Sequence, residues 1–200
     1  MNPLSLIPLA ALVAAAPAPP GDLAQVQRHL QALGTMTAGF AQTDRNGQTL
    51  TGTLTIKQPG KIRFQYQKNV PMLIVADGGA LTFIDYSVKQ VQRWPVKNSP
   101  LGVLIDPSRD IGRYAKVVPT GNAAVISVEA NDPKHPEYGR ITLVFARAAN
   151  GPAGLALQGW VALDSQGNRT TVRLSDQRFG MPVSDGTFRW NDPRSAGVRR

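Results

Sequence analysis

Apolar and polar residues alternate along residues 49–57. This period-two pattern is typical of a β-strand that buries one face. Pro59-Gly60 ends the segment, and the apolar stretch further on contains Asp77-Gly78, a dipeptide typical of tight hairpin turns. The pattern therefore predicts consecutive strands joined by short turns.

The same reasoning, extended along the chain, predicts about eleven strands. They are expected at residues 36–43, 49–58, 61–67, 72–77, 80–86, 90–95, 114–119, 123–130, 139–147, 155–164 and 169–176. Connections this short require antiparallel neighbours, because a parallel crossover needs a dozen or more residues. A sheet of so many strands must curl on itself and enclose an interior.

Two short helices are predicted, one before the strands and one between them. The first has Asp22 as its cap and apolar positions at Leu23, Val26, Leu30 and Leu33, with Gly34 just past its end. The second has Ser99 as its cap, Pro100 at the first helical position and an apolar face of Leu101, Leu104 and Ile105. Residues 107–113 are expected to add another turn. We expect both helices to cover the interior and to be its moving parts.

The first eighteen residues differ from the rest of the chain. An uncharged apolar segment, 4–16, leads into small residues, which predicts a signal peptide over 1–18, cleaved near 15–18 with Ala15 as the preferred site. No basic residue precedes the segment, so an Ala/Pro leader without a targeting role is the alternative. Residues 19–200 are expected to form a single domain.

The composition of the chain excludes some classes of function. The chain has no cysteine, hence no thiol nucleophile and no residue to receive the lipid anchor of a lipoprotein. Its formal net charge of +9 favours an acidic partner. Residues 169–200 carry seven arginines against three aspartates, which fits anionic headgroups, an acidic docking protein or simply a soluble surface. No nucleic-acid-binding signature is present, so no nucleic-acid partner is expected.

Several segments together resemble the LolA-type family of periplasmic outer-membrane lipoprotein carriers. They are the Gly-x-Leu of 52–54, the x-Pro-Gly-x-x-Arg-Phe-x-Tyr of 58–66, the Ala-Asp-Gly-x-x-Leu of 76–81, and the segments 40–42, 99–105 and 164–168. The resemblance covers roughly residues 23–193. It implies a mainly β (α+β) fold: an incompletely closed, strongly curved antiparallel β-barrel of about eleven strands, with a lid of short helices over a hydrophobic cavity.

The resemblance also implies a function. A protein of this family would be a periplasmic chaperone that shields the acyl chains of lipoproteins and shuttles them from the inner to the outer membrane. It would load from an inner-membrane lipoprotein-releasing transporter and unload at an outer-membrane acceptor protein or at the outer membrane directly. It is expected to act as a monomer, without a metal or other cofactor.

Candidate acyl-chain-binding residues are the apolar positions expected to face inward. On the strands they are Phe40, Leu54, Ile56, Phe64, Tyr66, Ile74, Phe83, Trp94, Ile126, Val128, Leu143, Phe145, Leu157 and Trp160, and on the covering helix Leu101, Leu104 and Ile105. Alternation alone is more typical of an ordinary filled core than of a ligand cavity, so only the resemblance favours a cavity.

One position departs from the family. Many relatives carry an arginine before the proline of the Pro-Gly turn, where it is thought to bond carbonyl groups of the lid, and this chain has Gln58 there. Glutamine donates a hydrogen bond without charge. Gln58 and Arg63 are therefore both candidates for a lid latch, and Arg63 fits a solvent-facing strand residue as well.

An enzyme would need a constellation of reactive side chains. The histidines are His29, expected on the surface of the first helix, and His135, expected in an exposed loop, and neither is paired in the sequence with a nucleophile. Phosphate-loop, nucleophile-elbow and zincin motifs are absent, so no catalytic residue is predicted. The alternatives to a lipoprotein carrier are a soluble periplasmic lipid- or glycolipid-binding or sensor protein of the same fold and, more distantly, an exported hydrolase.

Overall fold

The computed structural model describes residues 21–96, 99 and 101–194. They contain one sheet of eleven strands, each antiparallel to its neighbours, in the order β6-β5-β4-β3-β2-β1-β11-β10-β9-β8-β7. The strands are β1 Thr35–Thr43, β2 Thr49–Lys57, β3 Lys61–Tyr66, β4 Met72–Asp77, β5 Ala80–Asp85, β6 Gln90–Pro95, β7 Ala115–Val118, β8 Val125–Asn131, β9 Arg140–Arg147, β10 Leu155–Leu163 and β11 Arg169–Phe179. The predicted signal peptide and Pro100 lie outside the described residues.

The sheet is curved and does not close, which confirms the predicted fold class. Strands β6 and β7 are its two free edges. Pairing shifts register between Thr37 and Gly39 in β1 and between Leu157 and Gly159 in β10, and such bulges bend a strand and increase its twist. Gly159 has a φ of 151°, and a β-carbon there would clash with the Val172 carbonyl oxygen, so a larger residue would not fit at this bend.

The helices lie on the inner face of the sheet. They are α1, Asp22–Ala32, and α2, Gly102–Ile105, and 3₁₀ turns occupy Ile111–Arg113, Pro136–Tyr138, Pro152–Gly154 and Asp185–Phe188. Both helices pack into one core with inward residues of β1–β5 and β8–β11. No helix among the described residues is long and apolar enough to cross a membrane.

Helix α1 differs from its prediction at two residues. Gly21 is the N-cap, and Asp22, expected there, is the first helical residue, with its carboxylate 2.7 Å from the Arg147 guanidinium. His29, expected on the surface, is fully buried, with Nδ1 donating to the Pro152 carbonyl at 2.8 Å and the ring edge-on to Phe145. Burial lowers the pKa of His29, because charging the imidazole inside the core is unfavourable.

A second, smaller core lies on the outer face of the sheet. Leu73 and Val75 of β4 and Ile84 of β5 point away from the first core, and Phe188 from the C-terminal segment covers them. Asp185, at the start of the same segment, accepts hydrogen bonds from Lys57 and Lys61, and these two ammonium groups lower the pKa of its carboxyl to about 2. Strands β4 and β5 are thus covered on both faces, by the inner core on one and by the C-terminal segment on the other.

Candidate functional site

A cavity of about 380 Å³ lies on the inner face of the sheet, between β3–β6 on one side and β10, β11 and β1 on the other. Its apolar wall consists of Phe64, Ile74, Leu81, Phe83, Trp94, Leu101, Trp160, Ala162, Leu163 and Val172. The strands place these side chains together because cross-strand partners share a face: Phe64 pairs with Ile74, and Ile74 with Phe83. The cavity surface is therefore mostly aromatic and aliphatic.

An aromatic cluster forms the floor of the cavity: Phe64 and Trp160 line it, and Phe40 and Tyr66 support them from the core. The Phe64 ring lies edge-on to Trp160 and to Phe40, with centroids 6.0 and 5.4 Å apart, and Phe40 lies edge-on to Tyr66 at 5.2 Å. Gly52, opposite Phe40, leaves room for that ring, because a β-carbon there would be 2.7 Å from Phe40 Cε1. Such edge-to-face contacts stabilise a fixed arrangement of rings.

Burial keeps the floor uncharged. The Tyr66 hydroxyl donates to Gln42 Oε1 at 2.8 Å, and burial raises the pKa of Tyr66 to about 12. The phenol therefore stays neutral at any physiological pH, and its only polar atom is hydrogen-bonded. The floor can accept hydrocarbon without exposing an unpaired charge to it.

One end of the cavity has a polar rim, which we define as Gln42, Glu137, Asp164, Ser165, Asn168 and Thr170. Asp164 accepts hydrogen bonds from the Gln166 and Asn168 backbone and from Asn168 Nδ2, and these bonds lower the pKa of its carboxyl. The apolar wall and the polar rim together give the cavity an amphipathic lining.

The cavity gathers some of the predicted acyl-chain-binding residues and leaves others in the closed core. Phe64, Ile74, Phe83, Trp94, Leu101 and Trp160 line it. Phe40, Leu54, Ile56, Tyr66, Leu104, Ile105, Ile126, Val128, Leu143, Phe145 and Leu157 are buried in the packed core beneath or beside it.

Sequence reasoning missed several lining residues, chiefly Leu81, Val172 and the rim. Leu81 and Val172 were open to prediction, because each lies two residues from, or opposite, a candidate: Leu81 two before Phe83, and Val172 across from Trp160. Four rim residues lie close together in and after the β10–β11 turn, which overlaps the family-like segment 164–168, whereas Gln42 and Glu137 come from distant parts of the chain. Turn residues do not follow the alternation from which lining residues were predicted.

Helix α2 covers the inner face beside the cavity and is held at its last turn. Gln58 Nε2 donates to the Leu104 carbonyl at 3.0 Å, and the Gly60 N–H donates to the Ile105 carbonyl at 2.6 Å. These carbonyls lie at a helix end, where no intrahelical donor reaches them. The N-cap is Leu101, not the predicted Ser99, which lies two residues earlier and accepts the Leu101 N–H with its Oγ at 3.2 Å. Gln58 thus contacts the lid through an uncharged amide.

Arg63, the other latch candidate, lies on the outer face of the sheet. Its guanidinium donates to the Thr187 and Arg189 carbonyls at 3.1 and 3.0 Å, and to the Gln65 side chain. These contacts fasten the C-terminal segment over the second core. None of the hydrogen bonds that Arg63 makes among the described residues reaches α2.

No group of three or more His, Asp or Glu side chains in the described part of the chain is arranged to hold a metal ion. His29 is in the core under α1, whereas His135 is exposed in a loop, where Nδ1 lies 3.0 Å from Glu137 and the ring stacks on Tyr138. The cavity lining offers apolar contacts and hydrogen bonds to a ligand.

Comparison with known sequences gives a consistent family. The family model described as outer membrane lipoprotein carrier protein LolA matches residues 31–191. An outer-membrane lipoprotein carrier protein of Chromobacterium violaceum is 29% identical over 208 residues, covering 99% of this chain and 98% of the relative. Another, from Dechloromonas aromatica, is 28% identical over 187 residues, covering 89% and 87%.

Solved structures with a similar fold are far more distant in sequence. A DUF1329 family protein from Desulfovibrio piger has a TM-score of 0.55 at 11% identity, covering 84% of this chain and 95% of that one. The MucA/MucB complex of Pseudomonas aeruginosa contains a chain with a TM-score of 0.51 at 12% identity, covering 86% and 62%. At such identities the likeness concerns the fold alone.

Proposed function

Because the chain belongs to the outer membrane lipoprotein carrier family, we propose that it shields the acyl chains of lipoproteins in the periplasm and carries them from the inner to the outer membrane. The observation that carries this proposal is the cavity of about 380 Å³ with its apolar wall, which lies beside a helix fastened by two hydrogen bonds.

The size and lining of the cavity support an acyl ligand. A cavity of about 150 Å³ lined by Leu, Ile and Phe already stays dry and binds benzene, and this one is more than twice as large. Removing about a dozen CH₂ groups from water is worth roughly 10 kcal/mol at ~0.8 kcal/mol each. That free energy suffices to hold a single chain without covalent chemistry.

A carrier must also release its cargo. In our proposal α2 moves aside when the hydrogen bonds of Gln58 and Gly60 break, which enlarges the cavity and opens it along the lid. Each such bond contributes about 1 kcal/mol, and opening also exposes the buried side chains of Val103, Leu104 and Ile105. A partner or the acyl chain itself must therefore cover these side chains for the lid to stay open. An inner-membrane lipoprotein-releasing transporter would load the carrier, and an outer-membrane acceptor or the membrane itself would receive the cargo.

The polar rim supports a second candidate function. Gln42, Asn168 and Thr170 offer neutral donors and acceptors at the cavity mouth, which suits the hydroxyl groups of a glycolipid as well as the head of a lipoprotein. A lipid- or glycolipid-binding protein of the same fold would use the same apolar wall and differ in what the rim contacts.

A charge placed in the cavity tests the proposal. Phe83 lines the cavity, whereas Val88, five residues further along the same hairpin, is 66% exposed. Periplasmically expressed protein is purified without detergent, mixed with a triacylated lipoprotein and centrifuged. The wild type and Val88→Glu should keep the lipoprotein in solution, and Phe83→Glu should lose most of this ability, because a carboxylate in an apolar site is strongly unfavourable.

Two results would contradict the carrier function. If all three proteins keep the lipoprotein soluble equally well, the acyl chains bind elsewhere. If none does, and free lipid or glycolipid copurifies with the wild type alone, the second candidate replaces it.

A further inference from the structure

Strand β6 is a free edge of the sheet beside the cavity. No backbone hydrogen bond among the described residues joins Gln90–Pro95 to any strand except β5. The strand pairs with β5 over six residues without a register shift, so it is regular and extended. Gln90, Gln92, Arg93 and Pro95 are exposed. A row of unpaired backbone groups of this kind is a template for another strand.

The hydrogen-bond pattern identifies which groups are free. The Val96 N–H donates to the Gly79 carbonyl at 3.2 Å, and the Tyr86 N–H to the Pro71 carbonyl at 2.8 Å. Residue pairs of an antiparallel ladder alternate between hydrogen-bonded and non-hydrogen-bonded. Both bonds therefore show that the backbone N–H and carbonyl groups of residues 90, 92 and 94 face β5, and that those of residues 91, 93 and 95 face the open side. Pro95, which has no N–H, therefore removes no bond from the β5–β6 ladder.

The open side of β6 offers two donors and three acceptors. They are the N–H and carbonyl groups of Val91 and Arg93 and the carbonyl of Pro95, by the register of β6 on β5. Trp94 of the same strand and Phe83 of β5 line the cavity. A chain paired with β6 would run about 5 Å beyond it, directly beside any ligand whose acyl chain lies against Trp94.

The other free edge is less suited to an added strand. Strand β7 has only four residues, Ala115–Val118, and its Lys116 is held by Glu129 at 3.1 Å. Helix α1 and the 3₁₀ turn at Ile111–Arg113 pack against it. Short, charged and partly covered edges resist strand addition.

We infer that the open edge of β6 binds the extended peptide that follows the acylated residue of the cargo, as an added β-strand. The inference rests on the proposed function, since the acyl chain in the cavity brings the peptide to the edge. Backbone groups are common to all sequences, and pairing through them needs no particular side chain. A carrier can therefore hold the polypeptide part of many lipoproteins that share only their lipid.

Backbone-modified lipopeptides test the inference. The probes have an acylated N-terminal cysteine and six further residues, and in two variants alternate backbone amides are N-methylated, one variant for each alternating set. Only one set can face β6, so that variant should bind at least about tenfold more weakly than the unmodified probe, from the loss of two or more hydrogen bonds. The variant methylated at the other set of amides should bind with an affinity within about threefold of that of the unmodified probe.

A matched pair of protein variants locates the contact. Arg93→Ala removes the ion pair with Asp77 at 3.0 Å but keeps the outward N–H, whereas Arg93→Pro also removes that N–H. The β5–β6 ladder needs neither. Arg93→Pro should weaken binding of the unmodified lipopeptide about fivefold or more relative to Arg93→Ala. Analytical ultracentrifugation should show the same oligomeric state for both variants and the wild type.

The outcomes separate this inference from the proposed function. Equal affinity of all three lipopeptides, each still bound through its acyl chain, would overturn the edge contact and leave the carrier function standing. Failure of every acylated probe to bind would remove the proposed function and the inference with it. A change in mass for Arg93→Pro would show that the edge pairs with a second copy of this chain, which also overturns the inference.

Discussion

The two helices on the inner face of this sheet are attached in different ways. Helix α1 is held by side chains along its length. Asp22 and Gln25 bind Arg147, and Gln25 also donates to the Ala153 carbonyl. Gln27 bonds the Arg109 carbonyl and the Ile111 N–H, and His29 donates to the Pro152 carbonyl. Helix α2 has four residues, all buried. Its last turn is tied to the β2–β3 turn by the hydrogen bonds of Gln58 and Gly60, and its first N–H donates to the Ser99 carbonyl at 2.9 Å.

The difference indicates which cover moves. Displacing α1 would break a partly buried ion pair, several side-chain hydrogen bonds and the packing of Val26 and Leu30. Displacing α2 breaks its two hydrogen bonds to the β2–β3 turn and exposes one apolar turn. Low-stability elements are the ones that open. We therefore expect α2 to be the lid and α1 to be a fixed part of the wall, although the sequence pattern had suggested that both helices move.

The largest expected effect tests the fixed helix. Leu30 is 2% exposed and packs in the inner core, so Leu30→Ala should lower the free energy of unfolding by about 3 kcal/mol, measured by urea denaturation. Arg28→Ala, on the exposed side of α1, should change it by less than about 0.5 kcal/mol. A loss below about 1 kcal/mol for Leu30→Ala would show that α1 is itself loosely held and would break the comparison.

A smaller effect depends on pH through His29. Burial lowers the pKa of His29 below its ordinary value of 6.5, so the unfolded chain binds the proton more readily than the folded one. The contribution of neutral His29 to the free energy of unfolding is therefore fully present above pH 6.5. It is lost as the pH falls from 6.5 to the lowered pKa, by up to about 1.4 kcal/mol per pH unit.

The slope of unfolding free energy against pH, measured between pH 5 and 7, checks this account of His29. His29→Gln should flatten the slope even if it changes the absolute stability. A slope that is the same in both proteins would mean that His29 charges as easily in the folded state as in the unfolded one.

The smallest expected effect concerns the lid latch. Gln58→Leu removes the donor to the Leu104 carbonyl and should speed release of a bound lipopeptide about fivefold, the equivalent of one hydrogen bond. Arg63→Ala should leave the release rate unchanged, because Arg63 holds the C-terminal segment on the other face. The release rates are measured by stopped-flow fluorescence. An equal acceleration of release by both substitutions would contradict the assignment of the latch to Gln58.

Sequence patterns predicted the strands well because alternation and turn dipeptides are local. They did not show which inward residues line empty space: Leu54 and Phe83 follow the same pattern, yet Leu54 is fully buried in the core and Phe83 lines the cavity. That distinction depends on how the sheet curves and where α2 lies, which are set by contacts distant in the chain.

Two other features had a local signal that alternation hides. His29 lies three residues after Val26 and next to Leu30, so helical spacing already placed it at the border of the buried stripe. The continuous apolar run 73–76 indicated a strand buried on both faces, as the outer core with Phe188 shows. The covering segment itself, with one aromatic residue in a 3₁₀ turn, gave no pattern to read.

The three tryptophans allow the most direct test of the central claim, that acyl chains occupy the cavity on the inner face. Trp94 and Trp160 line the cavity, whereas Trp190 packs against the outer core. Three single-tryptophan proteins, with the other two residues changed to Phe, are loaded with a lipopeptide whose acyl chains carry bromine, which quenches indole fluorescence on contact. The account predicts strong quenching of Trp94 and Trp160 and none of Trp190; equal quenching of all three, or quenching of Trp190 alone, would contradict it.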